Sequence, residues 1–142
     1  MQQQAVYTIA ENTPIARDVY RLRLEGGASW VQRPGQFVNI ALENRYLRRP
    51  ISVCDWDEGG LVLIYKVVGG GTAQMAGMQA GEKLDLLTGL GNGFDIGPAA
   101  GRRVAVIGGG AVSYTHLRRE GKKRQQLGKR FNEIRRFFRD EG

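Results

Sequence analysis

A single cysteine, Cys54, in 142 residues rules out an intrachain disulfide and any metal cluster built from several thiolates. The one histidine, His116, has no carboxylate or second ligand near it in sequence and is assigned no role. No stretch approaches the roughly 20 consecutive apolar residues that a membrane-spanning helix needs. The first residues, Met1-Gln2-Gln3-Gln4, lack the charged-then-apolar order of a secretory signal. A soluble cytoplasmic protein is the expectation. Excess charge is also missing from most of the chain. Of the net +7, residues 118–142 carry +6, with ten Lys/Arg against four Asp/Glu, so the preceding residues are close to neutral. The basic character belongs to the C-terminal stretch, and two segments of different role are implied.

What is present is a series of short extended segments. Val6–Ala10, Val19–Leu24, Phe37–Leu42, Ile51–Cys54, Leu61–Val68 and Lys83–Leu87 read as strands, separated by Gly, Pro and Asn. In the second, Tyr20, Leu22 and Leu24 alternate with Arg21 and Arg23, as expected for a strand with one wet face. Asp55–Gly60 reads as a hairpin turn. Six such strands predict a small antiparallel barrel or sandwich. Thr72–Met78 differs: Thr72 can cap a helix, Ala73 to Ala76 favour one, and Gly77 or Gly81 ends it. The 42% hydrophobic content suffices for a core, and the length allows one domain or one domain plus part of another. After the glycine-rich loop Gly89–Gly97, Arg103–Ile107 reads as a buried strand running into Gly108-Gly109-Gly110. That is how a dinucleotide-binding unit opens.

Two clusters carry chemistry. Arg48-Arg49-Pro50-Ile51-Ser52 places a permanent cation and a hydroxyl together at an extended segment. Gly69-Gly70-Gly71-Thr72 supplies open backbone and a hydroxyl at the start of a helix. Taken alone, each has a plain reading as solvated arginines and a turn. Together they suit a ligand that is both flat and phosphorylated, a flavin nucleotide above others.

Pro34-Gly35-Gln36-Phe37, Arg48–Ser52, Gly71-Thr72 and Leu90-Gly91-Asn92-Gly93-Phe94 follow one another in an order that resembles the flavin domain of the ferredoxin reductase superfamily. Within it, the pattern is most similar to the electron-transfer subunit of the two-subunit dihydroorotate dehydrogenase, over about residues 5–110. The resemblance implies a six-stranded antiparallel FAD-binding barrel, mainly β with one short helix, over residues 1–98. It implies the start of an NAD-binding α/β domain over 99–111. It also implies that Arg49 contacts the FAD phosphates and Ser52 the flavin ring or ribityl chain, while Pro50 and Ile51 present backbone and an apolar edge. Lys66, Val67 and Val68 would line the other side of the flavin, and Gly71 and Thr72 would meet the pyrophosphate. No catalytic residue and no metal ligand is implied. The implied function is transfer of electrons from dihydroorotate oxidation to NAD, for pyrimidine biosynthesis, in a hetero-oligomer with the dihydroorotate-oxidising subunit.

The sequence also departs from that pattern. Ala111 and Val112 stand where the family has Ile-Gly, and a β-branched residue is poorly suited to the open turn that NAD requires. Thr88-Gly89 stands where Gly-Pro is common. The family's four cysteines for a [2Fe–2S] cluster are absent past Cys54. Residues 112–142, starting at Val112-Ser113-Tyr114-Thr115-His116-Leu117, read as a non-native basic tail on a truncated flavoprotein that retains FAD binding only. Cys54, two residues past Ser52, reads as a small buried group more readily than as a neighbour of the flavin. Two alternatives stay open. One is another ferredoxin–NAD(P) reductase or a diaphorase subunit. The other is a nucleic-acid-binding module driven by the tail, in which Leu127, Phe131, Ile134 and Phe138 form a helical stripe with Arg135, Arg136 and Arg139 nearby.

Overall fold

A computed structural model describes residues 2–103. The predicted strand at Arg103–Ile107, the dinucleotide-binding start and the tail at 112–142 lie outside that range, apart from residues 99–103. Six strands close into one antiparallel barrel: β1 (Gln3–Ala16), β2 (Val19–Glu25), β3 (Phe37–Ala41), β4 (Arg49–Asp57), β5 (Gly60–Lys66) and β6 (Lys83–Leu90). Their order around the barrel is β1-β2-β5-β4-β3-β6. A seven-residue helix, α1 (Gly70–Ala76), bridges β5 and β6, and a 3-10 turn at Gly97–Ala99 follows β6.

The period-two alternation sets which side chains point inward. Leu22 and Leu24 of β2, Val38 and Ile40 of β3, and Leu84 and Leu86 of β6 are buried together with Tyr7 and Ile9 of β1. On β2's outer face, Arg21 pairs with Glu11 and Arg23 with Asp57, each at 2.8 Å. β5 is buried along its length, from Gly60 to Tyr65. An open sheet has edges, and here closure removes them. β1 achieves this by serving two neighbours: Gln3–Thr8 pair with β6 and Thr8–Ala16 with β2. It is therefore far longer than the Val6–Ala10 read from its pattern. The residues flanking that pattern, Gln3-Gln4 and Glu11 to Thr13, are polar, and pairing rather than side-chain burial extends the strand.

α1 is fixed to the barrel at both ends. Met75, 1% exposed, enters the core. The Asn12 side-chain amide donates to the carbonyls of Met75 and Met78, which close the helix, and its oxygen accepts from the Tyr65 hydroxyl at 3.0 Å. The predicted cap at Thr72 is displaced. Gly69 holds the cap position, and Thr72 lies one turn further on with its hydroxyl accepting from the Val68 and Gly69 N–H groups. Three consecutive glycines let the chain turn before Thr72, so the helix starts earlier than its hydroxyl suggests.

Candidate functional site

The site arises where two paired strands part. The β4–β5 ladder runs from Asp57↔Gly60 to Val53↔Leu63 and stops there. β5 nevertheless continues to Lys66 against β2, where Val19 pairs with Lys66. β4 continues in the other direction, with Ser52, Ile51, Pro50 and Arg49 paired to β3 alone. Each strand is held by its outer neighbour, so Arg49–Ser52 and the end of β5 diverge and leave a cleft between them. Pro50 fits because its missing N–H faces an edge with no partner strand.

α1 closes the far end of this cleft. A side chain at Gly71 would strike Nε of Arg49, and one at Gly70 would meet the Arg45 guanidinium at 2.7 Å. Two guanidinium groups therefore lie directly against the first turn of α1, in the space a side chain at Gly70 or Gly71 would occupy. Arg49 donates to the Leu47 carbonyl two residues back at 2.9 Å, and Arg45 donates to Gln74 Oε1 at 3.4 Å. Among the described residues neither has a carboxylate partner, and neither does Lys66 at the end of β5. Arg48 is different: its guanidinium engages the Asp85 carboxylate of β6 at 3.3 Å. Of the adjacent pair singled out by sequence, one arginine staples the barrel and the other faces the cleft.

The remaining predicted site residues assemble around the same cleft. Pro50 and Ser52 are exposed, and Ile51 is half-buried. β5 ends at Lys66 instead of Val68. Val67 and Val68 form the link to α1, their N–H groups held by the Asp18 carbonyl and the Thr72 hydroxyl. Val68 is 79% exposed, and Gly71 and Thr72 are buried. The Thr72 hydroxyl is spent on this turn, accepting from Val68 and Gly69 and donating to the Gly69 carbonyl. It shapes the turn rather than standing free for a ligand. Arg45 was missed by sequence reading, and only its neighbour Gly70 reveals it.

The other two motifs dock on one another beside the cleft. Phe94 N–H donates to the Pro34 carbonyl at 2.7 Å, and the Phe94 ring covers Gly35, whose φ of +92° requires glycine. Phe37 then links both halves, pairing with Ser52 on one side and Leu90 on the other. Cys54 lies at the bulge of β4, between Val53 and Asp55. Burial, reinforced by the Asp55 carboxylate, pushes its thiol up to about 11. The residue is half-buried and not fully buried as its sequence suggested, and its thiol stays protonated near neutral pH.

A separate recess of about 710 Å³ lies between the end of β3, the end of α1 and the start of β6. Glu43, Glu82 and Asp85 line it together with Lys83, and Asp85 is held by Arg48, so the recess offers no cluster of free cations for an anion. Among the described residues no group of acidic, histidine or cysteine side chains could hold a metal ion. No described helix is long and apolar enough to cross a membrane.

Solved structures share this barrel. The chain superposes with a TM-score of 0.59 and 33% identity on an NADH-dependent reduced ferredoxin–NADP oxidoreductase described for flavin-based electron bifurcation, covering 64% of this chain and 34% of that one. At 20% identity, a Neisseria gonorrhoeae ferredoxin NADP+ reductase with bound FAD and NADP shares the fold, with a TM-score of 0.54 over 64% of this chain and 39% of that one. No family model matches the chain. Fold and sequence place it in the ferredoxin reductase-like class.

Within that class, the sequence is similar to the electron transfer subunit of dihydroorotate dehydrogenase B (NAD(+)). It is 34% identical over 131 residues to the Fusobacterium nucleatum protein, covering 88% of this chain and 48% of the relative. To the Enterococcus faecalis protein it is 39% identical over 137 residues, covering 93% and 49%. The chain thus spans about half the length of these curated relatives, and the matches extend past residue 111.

Proposed function

We propose that this chain binds FAD in the cleft between β4 and β5 and serves as an electron-transfer flavoprotein. The observation that carries the reading is the pair of guanidiniums, Arg49 and Arg45, lying on the glycine turn without carboxylate partners. A diphosphate suits such a site because guanidinium forks bind phosphate oxygens by paired, charge-assisted hydrogen bonds. The open edge of Arg49–Ser52 and the exposed Val68 then give a flat ring polar backbone on one side and apolar surface on another. FAD, once bound, supplies the redox chemistry. The protein's part is to hold the cofactor, keep the ring oriented and tune it through nearby groups. Pro50, Ile51 and Ser52, with Lys66 and Val67, are the residues placed for that. The names of its sequence relatives support a partner subunit that oxidises dihydroorotate and an acceptor that is NAD, with pyrimidine biosynthesis as the setting. The family's [2Fe–2S] cluster does not fit here, since this sequence has one cysteine.

Titration of the purified 142-residue protein with FAD and FMN tests the reading. Saturable binding with FAD tighter than FMN is expected. Failure to bind either flavin overturns it.

A further inference from the structure

We infer that Arg45 and Tyr46, in the loop between β3 and β4, form the adenylate end of the site. Arg45 would supply a second cation to the diphosphate, and the Tyr46 ring a stacking surface for adenine. The inference rests on the FAD reading and concerns the half of the ligand that distinguishes FAD from FMN.

Tyr46 is 100% exposed, whereas Tyr7, Trp56 and Tyr65 are buried in the barrel. Its position is not left to a free loop. The Arg45 N–H donates to the Leu42 carbonyl at 3.2 Å, and the Gln74 side chain of α1 donates to the Glu43 carbonyl at 3.2 Å. Asn44 takes the left-handed conformation (φ 58°) that asparagine tolerates, so the chain turns sharply just before Arg45. The loop is thus tied to the helix whose first turn receives both guanidiniums. Arg45 itself rests on Gly70, and its bond to Gln74 at 3.4 Å is long, so a phosphate oxygen would displace it at little cost. One residue past the outer cation, a ligand leaving the diphosphate meets a bare aromatic ring. Leu47, 66% exposed, extends the apolar surface. A purine stacks on such a ring through its π-face, with no need for hydrogen-bond readout.

Four full-length proteins decide the matter: wild type, Tyr46→Leu, Tyr46→Phe and Arg45→Gln, each titrated with FAD and with FMN at low and moderate salt. Tyr46→Leu is expected to weaken FAD about tenfold, the scale of one base–aromatic stack, and to leave FMN unchanged. Tyr46→Phe keeps the ring and so keeps wild-type affinity for FAD. Arg45→Gln is expected to weaken FAD about tenfold at low salt, with a smaller loss as salt screens the charge. Absence of flavin binding by the wild type overturns the FAD reading and this inference with it. If wild type binds FAD but Tyr46→Leu binds it equally well, or loses FMN by the same factor, the Tyr46 assignment alone falls. Equal weakening by Leu and Phe also overturns it, because the hydroxyl and not the ring would then matter. Unchanged FAD affinity in Arg45→Gln removes the second cation.

Discussion

Arg48 and Arg49 are neighbours with the same side chain, and the start of β4 between them sends them to opposite tasks. Arg48 meets the Asp85 carboxylate across the barrel wall, in a pair about one-third exposed on both sides. Its replacement by alanine is expected to cost about 0.5–1 kcal/mol of stability, the range of partly solvated ion pairs, with flavin affinity retained. Arg49→Ala should do the reverse. Loss of a charge-assisted contact weakens FAD binding by about 1.5–3 kcal/mol, or roughly ten- to a hundredfold in Kd, with the melting temperature of the free protein little changed. Calorimetric titration and thermal melts of the two variants separate these roles. Cys54 gives a pH prediction at the same scale. Its folded value lies above the unfolded one, so the native state holds the proton more tightly, and stability is full below about 9 and falls as pH rises from 9 towards 11. Thiol labelling at pH 8 should accordingly be slow in the native protein and rise steeply once denaturant is added.

The short helix α1 is the element on which the site depends, and its own sequence does not stabilise it. Seven residues with a glycine cap and two more glycines in the first turn are too few and too flexible to persist alone. Tertiary contacts do the work: Met75 in the core, and Asn12 bonded to the carbonyls at its end. Met75→Ala is expected to destabilise the barrel by about 2–5 kcal/mol through the cavity it leaves. Asn12→Ala should cost about 1–3 kcal/mol, since it leaves buried polar groups without partners. Denaturant melts measure both. Gly71→Ala tests the close approach at the other end of the helix. Alanine is a better helix former, yet its methyl would displace the Arg49 guanidinium. FAD affinity should therefore fall towards that of Arg49→Ala while the melting temperature holds, and unchanged affinity would show that Arg49 is not where the diphosphate binds.

At the scale of the whole barrel, every strand is held by two neighbours, and closure joins residues distant in sequence. Gln3 pairs with Thr88, whose buried hydroxyl donates to the Gln3 carbonyl at 2.8 Å. Such a core cannot be lost piecemeal. Far-UV circular dichroism and the fluorescence of Trp30 and Trp56 are expected to report one transition with coincident midpoints. FAD at a hundred times its Kd should raise the stability by about 2.7 kcal/mol, because only the folded cleft binds it. Two separated transitions, or a midpoint indifferent to FAD, would contradict a single barrel that owns the site.

The sequence by itself determined the strands and the class of protein. Alternation of apolar and polar residues in β2 and β6 is a local property, dictated by a two-residue period, and so are the turns where glycine and proline interrupt it. The ordered motifs from Pro34 to Phe94 were legible for the same reason, since each is a few adjacent residues. Tertiary structure alone decided how these pieces became a site. Nothing near Gly70 in sequence announces Arg45, 25 residues earlier, and nothing in Asn12 announces a helix end more than 60 residues away. The divergence of β4 from β5 was equally hidden. It follows from β3 and β2 each holding one strand past the point where the two stop pairing, and such competition between ladders exists only once the barrel has closed.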